Sequence, residues 1–220
     1  AKERVSTGVK GLDALLGGGL IRNTNTLLVG PSGSGKTLLA LTMAAENVAR
    51  GLKVHYATFD EPLPQVVTTL KLLGYDPEEL MRRGLTVASA MPQESSPGLL
   101  RSMMTKVFIK RGYGRDLAVV DGLSALKRVF GERVFLRITE EAMSFFKSHG
   151  MTSVVCLAED YFKERRATLD TMMDNVLALT LNMESGELKR YLTIIKARMG
   201  VVDTRAHEVI LLDGKPVIKV

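Results

Sequence analysis

The chain has 220 residues, 45% of them hydrophobic and 25% charged, with a formal net charge of +6 from 30 Lys and Arg against 24 Asp and Glu. That length buries a full core without staples and suits one domain, and no apolar run approaches the roughly 20 residues that cross a bilayer, which excludes a helical membrane protein by sequence. The opening AKERVSTGVKG has no apolar signal-peptide core and the lone Cys156 lies in an apolar run, so a reducing, cytoplasmic setting is expected.

No internal repeat, low-complexity run or linker interrupts the chain. After an opening segment with the helix-like KGLDALLG, residues 26–30 (TLLVG) read as a buried strand and 36–50 as a helix that Gly51 stops. KVHYATF (53–59) is the next strand, followed by a helix within 63–73, a short one near 77–83 and the strand LTVASA (85–90). PQESSPG is a loop cluster, 98–111 reads as a helix, and RDLAVVD (115–121) as a strand. Residues 132–149 form a long helical stretch ended by Gly150, before the strand TSVVCLA (152–158). The last fifty residues hold VLALTLNM, LKRYLTIIKAR, HEVILL and KPVIKV, separated by polar turns at ESGE and Asp213-Gly214. The pattern predicts an α/β fold: a mainly parallel sheet with helices on both faces and an antiparallel C-terminal strand extension.

Residues 30–37, GPSGSGKT, match G-x-x-x-x-G-K-[ST] between a strand and a helix, the context that motif needs. Its small residues Gly30, Ser32, Gly33, Ser34 and Gly35 let backbone N–H groups curl around a phosphate at the start of a helix that continues through Leu38. Lys36 is expected on the terminal phosphates and Thr37 on Mg²⁺. A second acid for the metal is Asp121, which ends the apolar run of LAVVD. Asp60-Glu61 follow KVHYATF, read as a strand neighbouring the phosphate-loop strand, where a carboxylate can orient water on a γ-phosphate. Acids ahead of a helix that starts near Pro62 and Pro64 also suit the helix dipole, so both readings stand on the residues alone.

Between Arg101 and Arg137 nine basic residues face three acids, a pattern read as a solvated helix face. His55, His149 and His207 are scattered and the methionines have core or interface spacing, so structural roles are expected for both.

The joint pattern resembles the RecA-superfamily ATPases, and within them the single-domain archaeal KaiC-like proteins, including the RadA-paralogue branch. RVSTGVKGLDALLGGGL, GPSGSGKT, TFDEP, LAVVDGLSAL, GELKRYLTIIKAR and the final strands carry the resemblance over essentially the whole chain. It implies a Mg²⁺-dependent ATPase, slow as an isolated subunit, in which Glu61 is the general base and Asp60 its helper. It also implies that Lys196 and Arg198 reach the γ-phosphate held by the neighbouring subunit of a homo-oligomer, expected to be a hexameric ring. Two departures concern nucleotide sensing and coupling: Met199-Gly200-Val201-Val202 replaces the family's Gly-Thr-x-His, and Ala158-Glu159-Asp160 lacks the hydroxyl common after that strand. Where recombinases carry a DNA-contacting loop, this chain has YFKERR, so Lys163, Arg165 and Arg166 could hold single-stranded DNA, or simply belong to a solvated loop. A recombinase partner, a nucleotide-gated interaction switch with little hydrolysis, and a small P-loop kinase remain the alternatives.

Overall fold

The computed structural model describes residues 3–92, 96, 98, 114–164, 167–198, 200 and 203–220. The helix expected over 98–111, and Arg165 and Arg166, lie outside them. Near the N-terminus β1 (Arg4–Val5) pairs antiparallel with β2 (Leu20–Ile21), and α1 (Leu12–Leu15) lies between them. This ribbon is tied by Asp13, whose carboxylate accepts from Ser6 Oγ, Thr7 N–H and Thr7 Oγ1 at 2.6–2.7 Å.

The remaining strands are β3 (Asn25–Gly30), β4 (Val54–Thr58), β5 (Leu85–Ser89), β6 (Leu117–Asp121), β7 (Thr152–Ala158), β8 (Asn175–Glu184), β9 (Glu187–Lys196), β10 (His207–Leu212) and β11 (Lys215–Ile218). Among the described residues they form a nine-stranded sheet in the order β11-β10-β9-β8-β3-β7-β6-β4-β5. From β8 through β5 neighbouring strands are parallel, and from β8 through β11 they are antiparallel. The expected architecture is therefore present, with one correction. The strand that carries Asp60-Glu61 does not neighbour β3, because β7 and β6 are inserted between them. Sequence order says nothing about which parallel strand a crossover inserts next to. The helices are α2 (Lys36–Ala49), α3 (Leu63–Leu72), α4 (Pro77–Arg83), α5 (Leu123–Phe130), α6 (Glu132–Ser148) and α7 (Ala167–Met172).

Alternation along the buried strands divides the core into two layers. Leu28, Val54, Tyr56, Leu117, Val119, Val154 and Cys156 face α2, whose Leu39, Met43, Ala44 and Val48 are fully buried. Their sequence neighbours Leu27, Val29, Ala57, Ala118, Val120 and Val155 face the opposite layer, against Leu126 of α5 and Phe135, Ile138 and Phe146 of α6. Each large side chain removed from water on either face contributes about 1.5–3 kcal/mol. This two-sided burial explains why the central strands read as continuous apolar runs. It also fixes the direction of Asp121: two residues on from Val119, it faces the layer where α2 begins.

Candidate active site

Between β3 and α2 the chain turns tightly. A Cβ on Gly30 would lie 2.6 Å from Ser34 Oγ and 2.8 Å from Leu179 Cβ, so only glycine fits where the strand enters the loop. Ser32, Gly33, Gly35, Lys36, Thr37 and Leu38 line a cleft of about 460 Å³. Gly30 and Ser34 lie beneath it: the Ser34 side chain is fully buried, and its N–H donates to the Pro31 carbonyl at 3.1 Å. Lys36 Nζ folds back to donate to the carbonyls of Gly30 at 2.7 Å and Pro31 at 2.9 Å. Burial pulls its ammonium below the ordinary lysine value, opposed by the charges of Asp121 and Asp60.

Across the cleft, Asp121 Oδ2 accepts from Thr37 Oγ1 at 2.7 Å and from Tyr56 OH at 3.1 Å. A hydroxyl and a carboxylate so placed are hard oxygen donors beside a phosphate cradle, a donor set that fits Mg²⁺ carried in with a nucleotide. Thr58 of β4 lies opposite Asp121 in the strand pairing, so the acids after β4 arrive beside it. The Thr58 hydroxyl accepts the N–H groups of both Asp60 and Glu61 at 3.2 Å, and Ser89 Oγ donates to the Glu61 carbonyl at 2.6 Å. These bonds hold a tight turn that aims the two side chains differently. Asp60 is on the cleft wall, whereas Glu61 is set back, with its buried Oε2 lacking a hydrogen-bond partner among the described residues.

Burial and the nearby Asp121 push the Asp60 carboxyl up to about 6, against the opposing pull of Arg128 and Lys36. Glu61 is also raised, by burial first and then by Asp121 and Asp60. Asp60 and Asp121 on the cleft and Glu61 set back behind it repel each other, a repulsion that a metal ion and a neighbouring cation would relieve. Gly122, at φ 100°, starts α5 beneath them, and a Cβ there would collide with the Asp60 carboxylate.

The far wall was not legible in the sequence. Arg190 of β9, Val209, Ile210 and Leu211 of β10 and Pro216 of β11 line the same cleft, and Arg190 Nε donates to the Gly33 carbonyl at 3.1 Å. HEVILL and KPVIKV read only as edge strands, and nothing local says that the twisted edge returns over the phosphate loop. Ser124 is a second omission. It lines the cleft and its Oγ accepts the Ala158 N–H at 2.6 Å, so α5 brings a hydroxyl to the segment after β7 that lacks one of its own.

Lys196 and Arg198 are elsewhere. Lys196 Nζ donates to the carbonyls of Asp170 at 3.0 Å and Met173 at 2.6 Å, and Arg198 bonds Asp174 Oδ1 at 2.6 Å. Asp174 also accepts from Lys147 at 2.9 Å and from the Asn25 N–H at 2.8 Å. Asn25 begins β3 and Gly30 ends it, so the pair sits about 16 Å, the length of that strand, from the phosphate loop. Lys163 is exposed beside Phe162, which is 55% exposed, but Tyr161 is buried with its hydroxyl donating to Asp170 at 2.8 Å. Of the two aromatics in YFKERR, the loop therefore presents Phe162 and not Tyr161.

The sequence model of the KaiC ATPases matches residues 5–220. The chain belongs to the KaiC ATPase family. It is 27% identical to the circadian clock oscillator protein KaiC of Picosynechococcus sp. over 220 residues, which is 98% of this chain and 42% of that protein. It is also 27% identical to the KaiC of Thermostichus vulcanus over 215 residues, 96% of this chain and 41% of that one. The chain thus spans about two fifths of the length of these curated relatives. The crystal structure of a KaiC-like protein from the archaeon Pyrococcus horikoshii OT3 superimposes over the full length of both chains, with a TM-score of 0.87 at 20% identity, and so shares the fold. Membership in the KaiC family accords with a nucleotide-binding P-loop, and no described helix is long and apolar enough to cross a membrane.

Proposed function

We propose that this chain binds ATP with Mg²⁺ and hydrolyses it to ADP and phosphate at the boundary between head-to-tail copies of itself in a closed, hexameric ring. The observation that carries the reading is the separation of Lys196 and Arg198 from their own phosphate loop. An arginine side chain extends on the order of 7 Å and cannot cover the length of β3. A head-to-tail contact turns the end of one sheet that carries these cations toward the cleft of the next copy.

In this reading the backbone of Ser32 to Thr37 and the Lys36 ammonium take the phosphates, while Leu38, Val209, Ile210, Leu211 and Pro216 give the nucleotide an apolar wall. Thr37 and Asp121 hold Mg²⁺, which supplies charge neutralisation on the phosphates when bound. Glu61, raised above the ordinary glutamate value, accepts the proton of the attacking water, and Asp60 on the cleft wall keeps that water oriented. Arg198 of the adjacent copy meets charge that develops only in the transition state. Phosphate release and ATP binding by wild type and Glu61→Gln test this. Lost turnover with retained ATP binding is expected, as is turnover per subunit that falls on dilution below assembly. Unchanged turnover on dilution would remove the shared site from the reading.

A second reading, single-stranded DNA bound at the loop of Lys163, Arg165 and Arg166, alone or with a recombinase partner, is favoured by exposed Phe162 beside exposed Lys163. It predicts salt-sensitive binding of single strands that Lys163→Ala weakens. Binding that is indifferent to salt and to that substitution would leave the loop as ordinary solvated surface.

A further inference from the structure

Tyr56 is one of the largest fully buried side chains of the protein, in the layer between the sheet and α2. Its ring belongs to the buried cluster that holds Val54, Leu117 and Val119, where a phenylalanine would fill the same space. The hydroxyl is therefore not explained by packing, and a buried hydroxyl needs a partner. That partner is Asp121 Oδ2, at 3.1 Å. The register makes the meeting possible: Tyr56 lies opposite Val119 across β4 and β6, and Asp121 is two residues further along the same face.

We propose that Tyr56 is a positioning residue for the metal carboxylate, its hydroxyl anchoring Asp121 from the buried side of the cleft while Thr37 holds it from the open side. The inference rests on the proposed Mg²⁺ATP site. In the structure Thr37 and Tyr56 donate to the same carboxylate oxygen. Of these two donors, Thr37 also faces the metal, which its oxygen meets through a lone pair while its proton stays on the carboxylate. Tyr56, with no exposure to the cleft's solvent, holds the same oxygen from the buried side. Without it, the carboxylate keeps, among the described residues, only the Thr37 hydroxyl, which the metal also engages, and the weak donor of the buried Cys156 thiol. Outer-sphere hydrogen bonds of this kind are commonly worth about 10–100-fold in metal affinity.

The test is a Mg²⁺ titration of fluorescent N-methylanthraniloyl-ATP binding to wild type and Tyr56→Phe, with parallel titrations of the nucleotide in EDTA. The Mg²⁺ concentration giving half of the metal-dependent increase in affinity is expected to rise about tenfold in Tyr56→Phe, the lower end of that range. Metal-free nucleotide affinity stays within about twofold, because the phosphate loop's N–H groups and Lys36 do not depend on Tyr56. In an Asp121→Asn background, Tyr56→Phe should produce less than about half of its shift, since positioning has lost its object. An unchanged Mg²⁺ midpoint in Tyr56→Phe overturns the proposal, as does an equal shift with and without the Asp121 carboxylate. A wild type that binds the nucleotide identically with and without Mg²⁺ would instead overturn the metal site on which the proposal rests.

Discussion

Replacing Arg198 by Ala gives a direct measure of whether the catalytic site is shared. In the structure Arg198 is held by Asp174, at the end of β3 remote from the phosphate loop, and its side chain is 47% exposed. An ion pair exposed to that extent contributes about 0–1 kcal/mol, and Asp174 keeps its bonds to Lys147 and the Asn25 N–H. The melting temperature of Arg198→Ala should thus fall by no more than about 2–4 °C. Turnover should fall by about 10³-fold or more, the scale for removing an arginine that meets transition-state charge. The decisive assay mixes Arg198→Ala with Glu61→Gln, each inactive alone. A boundary is competent when the first variant supplies Glu61 and the second supplies Arg198, which random equal mixing places at about a quarter of heterologous boundaries. Phosphate release recovering to about a quarter of wild type is therefore expected after the mixed subunits have exchanged. No recovery, despite mass-spectrometric evidence of exchanged assemblies, would refute the argument from strand length, and full activity of Arg198→Ala would refute the role of Arg198.

Further predictions concern the acids and the glycine beneath them. Gly122→Ala combines an unfavourable φ with a collision at Asp60, so it should cost about 1 kcal/mol of stability and most turnover while sparing ATP affinity, as read by denaturant midpoint and nucleotide titration. Asp60, raised to about 6, binds its proton more readily in the folded chain, so it lowers stability as pH rises from about 4 to above 6. Asp60→Asn should accordingly raise the melting temperature at pH 8 and have little effect at pH 4; the reverse order would contradict the assigned environment. For Asp174, burial raises the carboxyl but the Asn25 N–H, Lys147 and Arg198 bonds outweigh it and leave it lowered. Its stabilisation is complete above the ordinary aspartate value and is lost as pH falls through the lowered one, so Asp174→Asn should flatten the acid limb of a stability profile.

Much of this protein was legible locally. GPSGSGKT between an apolar run and a helix needs only backbone and steric rules to be read as a phosphate loop, and LAVVD needs only the end of an apolar strand to offer a metal acid. The central strands announced themselves because burial on both faces leaves them mostly apolar, with polar residues such as Asn25, Thr58 and Ser153 towards their ends. The two-residue strands β1 and β2 and the short helices α5 and α7 did not, since they span too little of a period, although Gly122 and Gly131 bracket α5 with apolar residues at 123, 126 and 130. Strand order decided the rest. Only the insertion of β7 and β6 places Asp60 and Glu61 beside Asp121, and only the returning C-terminal edge brings Arg190 and Leu211 to the cleft. The bond from Tyr56 to Asp121 and the distance between Arg198 and its own phosphate loop belong to that same class. They join residues dozens of positions apart, and the pairing that makes them neighbours, or keeps them separate, is a property of the assembled sheet rather than of any window of sequence.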